Sequence, residues 1–179
     1  LISDTHFGHA NIIRYCARPF VPADVGEMDA VLIHNWNRTV DAGDTVYFLG
    51  DLRYGTDAAA PDRYLQALNG RISFIAGNHD TEIGGTVRSL TLERDGKRFL
   101  LLHDPCDAPP DFEGWIVHGH MHNNDLENYP FIHFTNRTIN VSAEVIAYSP
   151  IALSTLCRLI DEAADAGSIP TLQSLSSGF

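Results

Sequence analysis

The pattern from which the rest of the chain is interpreted lies in residues 45–51, Thr45-Val46-Tyr47-Phe48-Leu49-Gly50-Asp51. Its β-branched and aromatic side chains predict a short buried strand over residues 45–49. Gly50 permits a tight turn with positive φ, so that the next side chain points inward where the strand ends, and we expect Gly77 and Gly119 to do the same at two later strand ends. We therefore predict a strand whose carboxyl end presents the carboxylate of Asp51.

Four other predicted strands end in the same way, with Asp, Asn or His placed directly after an apolar run. These side chains are Asp4 and His6 after Leu1-Ile2, Asn78, His79 and Asp80 after residues 71–76, His103 after residues 97–102, and His120 and His122 after residues 115–118. In open α/β sheets, ligands gather outside the carboxyl ends of the strands. The five strand ends are therefore expected to converge on one site.

The remaining segments predict the other elements of an α/β fold. They are helices that begin near Asp24 and at Pro61, a hairpin over residues 87–102, a strand over residues 138–141, and a last helix from about Ser154 to Ala166. A loose tail is predicted after about residue 167. No internal repeat or long linker divides the chain, so residues 1–179 are predicted to form a single domain.

Charge and composition disfavour several classes of function. The net charge is −11, from 12 basic and 23 acidic residues, and Lys97 is the one lysine. This composition disfavours a P-loop, a Schiff-base enzyme and a protein that coats long nucleic acid through phosphate contacts. We expect a cytoplasmic protein without a membrane segment or signal peptide, in which Cys16, Cys106 and Cys157 are reduced thiols. Because the chain opens inside a predicted strand, we also expect a few native residues upstream of Leu1.

The residue types at the strand ends indicate a metal centre. Seven of them offer oxygen or nitrogen atoms and none offers a thiolate, a set that suits hard or borderline divalent cations. The seven candidate ligands are Asp4, His6, Asp51, Asn78, His103, His120 and His122. Because one cation would not use seven ligands, we predict two divalent cations roughly 3.5–4 Å apart, bridged by one carboxylate. Mn²⁺ is the favoured metal, with Fe, Zn, Ni and Co as alternatives.

These motifs resemble those of a known superfamily. Asp4-Thr5-His6, Gly50-Asp51, Gly77-Asn78-His79-Asp80, His103 and Gly119-His120-Met121-His122, in that order, are similar to the motifs of the calcineurin-like metallophosphoesterases. The resemblance implies a layered αββα sandwich of two mixed β-sheets flanked by helices. It also implies that one metal takes Asp4, His6 and His122, that the other takes Asn78, His103 and His120, and that Asp51 bridges them. His79 is then expected to face the substrate.

The predicted function is a phosphoesterase with two metals, which hydrolyses a small phosphodiester or a nucleotide through a metal-bridging hydroxide. His79 and Asp51 are the predicted catalytic residues, with His79 as the acid that protonates the leaving oxygen. The superfamily often carries an Asp three residues after the bridging one, and this chain has Tyr54 there. That departure disfavours a protein phosphatase. A nuclease of the same superfamily and a binding module that has lost catalysis remain open.

Several polar residues near the motifs have two interpretations. His9, Asn11 and Arg18 are candidate substrate contacts, and Asp80 either orients the His79 imidazole or lies in a surface turn. Asp44 also follows a glycine, but it precedes its strand, so we interpret it as a turn residue. His118 lies inside a strand and is interpreted as a packed residue rather than a ligand.

Overall fold

The strands form two β-sheets in the computed structural model, which describes residues 1–22, 24–56 and 58–166. In the smaller sheet, β1 (Thr45–Phe48) pairs in parallel with β2 (Arg71–Phe74). The larger sheet contains β3 (Ser89–Arg94), β4 (Lys97–Leu102), β5 (Trp115–His118), β6 (Ile132–His133) and β7 (Thr138–Asn140), in the spatial order β3-β4-β5-β7-β6. Its β4, β5 and β7 are parallel, and both edge strands are antiparallel to their neighbours.

The segment Ile2–Ser3 connects the two sheets. Ile2 forms a parallel bridge with Phe48 of β1, and Ser3 forms one with Ser142, just after β7. The strand predicted at Leu1-Ile2 is therefore present only as these two bridges. As a result, the loop that begins at Asp4 starts between the carboxyl ends of strands from both sheets.

Within the described residues, four α-helices flank the sheets: α1 (Ala10–Tyr15), α2 (Val25–Thr39), α3 (Pro61–Leu65) and α4 (Leu153–Ala166). The Asp24 side chain caps α2 by accepting a hydrogen bond from the Glu27 amide, as the capping pattern predicted. Trp36 of α2 is buried against Phe48 of β1, with ring centroids 6.2 Å apart. On the other sheet, Lys97 of β4 forms an ion pair with Asp161 of α4.

The predicted α/β class with two β-sheets and flanking helices is confirmed. The hairpin, the strands of residues 45–49 and 115–118 and the last helix are found within two residues of their predicted bounds. The smaller sheet is parallel rather than mixed, and α3 ends at Leu65 although its apolar spacing continued. The predicted loose tail lies outside the described residues.

Two further observations concern the cysteines and the helices. Cys16, Cys106 and Cys157 are free thiols, and the first and last are buried. Within the described ranges, no helix combines the length and the apolar character needed to cross a bilayer.

Candidate metal centre

The seven predicted ligands come together where the strands of both sheets end, and they form two groups. The buried group consists of Asp4, His6 and His122, and the outer group consists of Asn78, His103 and His120. Asp51 lies between them. The predicted convergence of the strand ends is therefore found in the structure.

In the buried group, polar atoms face each other without hydrogen-bond partners. Asp4 Oδ1 lies 3.8 Å from His6 Nε2 and 3.6 Å from His122 Nε2. Within the described residues, Asp4 Oδ1 and both ring nitrogens of His6 have no hydrogen-bond partner, although both residues are buried. Unpaired buried polar atoms are costly. Two ligands of one cation lie roughly 3–3.5 Å apart when each bond is roughly 2.0–2.2 Å, so a cation fits here after small shifts.

The outer group also brings together atoms that can bind a cation. His103 Nδ1 lies 2.7 Å from the Leu49 carbonyl, which can only accept, so this nitrogen carries the proton and Nε2 carries a lone pair. That lone pair faces Asn78 Oδ1 at 3.0 Å and His120 Nδ1 at 3.2 Å. Asn78 Oδ1 is also 3.1 Å from His120 Nδ1. His103 Nε2 and Asn78 Oδ1 are thus two acceptors that face each other, and with the nearby His120 Nδ1 they form a fitting site for a divalent cation.

Asp51 is shared by the two groups. Its Oδ2 atom lies 3.6 Å from His6 Nε2 and 3.5 Å from His103 Nε2. Its Oδ1 atom accepts a hydrogen bond from the His79 amide at 2.9 Å. Burial raises the pKa of Asp51 to about 6, with the charge of Asp4 also raising it and His103 lowering it. Burial thus disfavours the negative charge of this carboxylate, and a nearby cation would stabilise it.

The ligand loops have an unusual backbone. Five predicted ligands have positive φ, namely Asp4 (58°), His6 (49°), Asp51 (61°), His120 (66°) and His122 (49°). A non-glycine residue in such a conformation costs about 1–3 kcal/mol and persists where the surrounding structure requires it, often at functional sites. The loops are thus held in strained conformations that direct these side chains inward.

The predicted reason for the motif glycines is only partly right. Gly50 does have positive φ, at 91°. Gly77 and Gly119 do not, and what they provide is space. A methyl group at Gly77 would collide with the Asp51 carboxylate, and one at Gly119 would collide with Ser3 and the Asp4 carboxylate.

Sequence reasoning missed Glu144, which lies directly behind the buried group. Both of its carboxylate oxygens lie 3.2 Å from His122 Nδ1, which leaves His122 Nε2 to face Asp4. A carboxylate that holds the far nitrogen of a histidine is a common partner of metal-binding histidines. Glu144 follows β7 by four residues, so the strand-end signal used for the other ligands could have found it.

Arg18 has a different role from the phosphate contact that was predicted. Its guanidinium is buried and pairs with Glu144 at 2.5 Å. It also donates to the backbone carbonyls of Asp4, at 2.7 Å, and Thr5, at 2.8 Å. Because these contacts take up the guanidinium, Arg18 holds the first ligand loop in place and does not reach a substrate.

Burial lowers the pKa of His122, but hydrogen bonds with Cys16 and Glu144 and the charge of Asp4 outweigh it, raising this pKa to about 11.

Asp80 does not orient the imidazole of His79. Its Oδ2 atom accepts from the amides of Asp51, at 2.6 Å, and Gly77, at 3.0 Å, and its Oδ1 atom accepts from Leu52 at 3.0 Å. The buried carboxylate thus ties two ligand loops together through their backbones. The interpretation of Asp80 as a surface turn residue is also wrong, because the side chain is buried.

His79 stands beside both groups without belonging to either. Its Nε2 atom lies 3.9 Å from Asp51 Oδ2, and its side chain is 34% exposed. Burial, with the nearby His103, lowers the pKa of His79 below its usual value. The ring packs against Tyr54, with centroids 4.3 Å apart. This position faces the cavity, as the resemblance implied.

A cavity of about 520 Å³ lies over the two groups. His9 and Asn11, two of the candidate substrate contacts, line it together with His79 and Tyr54. Both residues therefore lie where a bound substrate could reach them.

Asp44 and His118, interpreted as a turn residue and a packed residue, have those positions in the structure. Asp44 accepts a hydrogen bond from the Asp41 amide within a turn. His118 is buried, and its Nδ1 atom bonds to the Gly119 carbonyl. Neither side chain belongs to the two ligand groups.

The two-sheet fold and the five ordered motifs at its strand ends agree with the resemblance to the calcineurin-like metallophosphoesterases. The chain is 49% identical to the uncharacterized protein MJ1445 of Methanocaldococcus jannaschii over 164 residues, which cover 90% of each protein. It belongs to the same protein family as MJ1445. No protein-family profile matches the chain.

Solved structures resemble this fold to different degrees. The protein of unknown function AQ665 from Aquifex aeolicus is 26% identical, with a TM-score of 0.66, and the match covers 89% of this chain and 97% of that protein. A predicted phosphoesterase from Streptococcus pneumoniae TIGR4 is 17% identical, with a TM-score of 0.41 over 85% of this chain and 74% of that one. A single mutant of Vps29 from Entamoeba histolytica is 20% identical, with a TM-score of 0.45 over 85% and 77%.

Proposed function

We propose that this protein is a metal-dependent phosphoesterase that binds one divalent cation at each ligand group and hydrolyses a small phosphodiester or nucleotide. The observation that carries the proposal is the position of Asp51 Oδ2, 3.6 Å from a nitrogen of the buried group and 3.5 Å from a nitrogen of the outer group. A carboxylate oxygen between two sets of ligands is what a bridging ligand of a two-metal site requires.

The chemistry divides between the cations and the chain. When bound, two divalent cations lower the pKa of water and offset the charge of the phosphoryl oxygens. Asp51 holds the two ligand groups at a fixed separation, because its carboxylate contacts both. The His79 ring lies near Asp51, exposed to the cavity and outside both groups, so it can donate a proton to the departing oxygen of the ester.

The cavity supports a small substrate. Its volume of about 520 Å³ suits one nucleotide-sized ester, and no Arg or Lys is among the described residues that line it. Positive charge for a phosphate would come from the bound metals alone. The net charge of −11 also disfavours long nucleic acid, for which phosphate contacts supply most of the affinity.

The test begins with metal removal. Chelation is expected to abolish hydrolysis of bis-p-nitrophenyl phosphate, and Mn²⁺ is expected to restore it in the same sample. Elemental analysis of the reconstituted protein should approach two ions per chain. A folded chain that never exceeds one ion would overturn the two-metal proposal, and hydrolysis that survives complete chelation would overturn metal dependence.

The same screen separates this function from a nuclease and from a binding module. A panel of mono- and diesters, cyclic nucleotides and short oligonucleotides is added to the metal-loaded protein. Preferential cleavage of the oligonucleotides would identify a nuclease. Two bound ions without hydrolysis of any ester would identify a binding module.

A further inference from the structure

Three rings form a continuous row along the cavity, and we call them the aromatic wall: Tyr15, His9 and Tyr54. The centroid of His9 lies 6.2 Å from that of Tyr15 and 4.6 Å from that of Tyr54. Tyr54 in turn lies 4.3 Å from the catalytic candidate His79. All three line the cavity over the ligand groups. The aromatic wall therefore extends from the reacting centre outward.

Both tyrosines are unusually exposed. Tyr15 is 68% and Tyr54 is 42% exposed, and they are two of only five large apolar side chains exposed among the described residues. Neither is needed to fill the core, and both lie at the one place where a substrate would enter. Exposed aromatic rings beside a polar site are typical of surfaces that bind a flat partner by stacking.

The aromatic wall also offers a polar contact. His9 Nδ1 is buried and has no hydrogen-bond partner within the described part of the chain. Because this atom is enclosed by protein, it can contact the edge of a bound ring only if the His9 ring turns. Tyr54 occupies the position where the superfamily often carries an Asp, so an aromatic face replaces a negative charge at this side of the centre.

The charges of the cavity limit the number of phosphates. The described lining contains Asp51 but no Arg or Lys, and Asp104 lies 3.7 Å from His120 at the edge of the outer group. A second or third phosphate would bring negative charge that no Arg or Lys of the described lining neutralises. The substrate that fits carries one phosphoryl group and an uncharged flat ring.

We propose that the aromatic wall binds the base of a nucleoside, so that the preferred substrate is a phosphodiester with one phosphoryl group and one nucleoside. This inference rests on the proposed function. Stacking of a base on an aromatic side chain changes affinity by roughly 5- to 100-fold. Most of the preference should therefore appear in KM.

The experiment compares two chromogenic diesters that release the same p-nitrophenolate and carry the same charge. One is the p-nitrophenyl ester of thymidine 5′-phosphate, and the other is methyl p-nitrophenyl phosphate. The metal-loaded protein should prefer the thymidine ester in kcat/KM by roughly 5- to 100-fold. In Tyr54→Ala and in Tyr15→Ala, the ratio of the two kcat/KM values should fall towards one.

Matched variants separate stacking from other effects. Tyr54→Phe and Tyr15→Phe keep the rings and should keep most of the preference. Val87→Ala removes another exposed apolar side chain, 45% exposed and outside the cavity, and should leave the ratio unchanged.

The outcomes of this experiment distinguish failure of this inference from failure of the proposed function. Equal hydrolysis of the two esters by the wild type would overturn the inference and leave the phosphoesterase intact. Hydrolysis of neither ester would count against the proposed function itself. Loss of the preference in the Tyr→Phe variants would exclude ring stacking as its source.

Discussion

The two ligand groups contain similar residue types but differ in their surroundings. In the buried group, Asp4, His6 and His122 are 0%, 2% and 9% exposed. In the outer group, His103 is also buried, at 5%, but Asn78 is exposed and the side chain of His120 is 38% exposed. The buried group is therefore enclosed by protein, whereas the outer group opens to the cavity where a substrate arrives.

The carboxylates that support the two groups also differ in their exposure to solvent. Glu144 supports His122 from a side chain that is 1% exposed, and the Arg18 guanidinium neutralises its charge. Asp104 approaches His120 at 3.7 Å, but its side chain is 32% exposed. A ligand held by buried, paired charges is oriented before a metal arrives. We infer that the buried group would hold a cation more strongly and that a cation in the outer group would exchange more readily.

The largest effect is expected at Asp51, because its side chain is common to both groups. Asp51→Asn keeps the shape but removes the charge, and it should lower kcat/KM by roughly 10³–10⁴-fold, which matches the several kcal/mol that metal ions contribute to catalysis. Asp44→Asn, in the turn before β1, is the matched control and should leave activity nearly unchanged. Equal losses in the two variants would mean that the bridge is elsewhere.

Substitution of His79 should slow hydrolysis but leave the binding of both metals unchanged. His79→Asn should slow hydrolysis of alkyl or nucleoside esters by roughly 10²–10³-fold, within the range of a positioned acid. A nitrophenolate leaves without a proton, so nitrophenyl esters should be affected much less. Metal content, measured by elemental analysis, should stay the same. Loss of metal would show that His79 is a ligand, and equal loss on both ester types would assign it to the phosphoryl oxygens.

The third prediction tests the two supporting carboxylates against each other. Glu144→Gln should weaken metal binding at the buried group by roughly 10–100-fold, as for other partners of metal-binding histidines. Asp104→Asn should weaken the outer group by much less. Calorimetric titration of the metal-free variants with Mn²⁺ measures both sites.

Unfolding experiments provide a second measure of the same contrast. Glu144→Gln leaves the buried Arg18 without its partner, which typically costs about 3–5 kcal/mol of stability. Asp104→Asn, at a partly exposed site, should stay within about 0.5 kcal/mol. If the two variants bind metals and unfold alike, the distinction between the buried and the outer group is wrong.

The last prediction concerns the pH dependence of metal binding. Without metal, hydrogen bonds with Cys16 and Glu144 and the charge of Asp4 overcome burial and raise the pKa of His122 to about 11, so its ring is protonated at neutral pH. A cation in the buried group must displace that proton. Its apparent affinity should therefore rise as pH increases between 7 and 9, by at most roughly tenfold per pH unit. An affinity independent of pH would show that His122 keeps its proton or does not bind the metal.

The strand ends and their order along the chain could be predicted because the signals are local. An apolar run followed by Gly-Asp, as at Leu49-Gly50-Asp51, specifies a strand and the turn after it within a few residues. The same local reasoning predicted that His103 and His120 would meet, since parallel strands present their carboxyl ends on one side of a sheet. Asn78 follows β2 of the other sheet, so the packing of the two sheets brings it to them.

The contacts that organise the centre depend on the tertiary structure. Arg18 and Glu144 are 126 residues apart in sequence, and nothing local to either indicates that they form a buried pair. Asp80 adjoins His79 in sequence, yet the fold turns its carboxylate to the amides of Asp51 and Leu52. The direction of a side chain in a loop is set by the donors that packing brings within reach, and those donors come from distant segments.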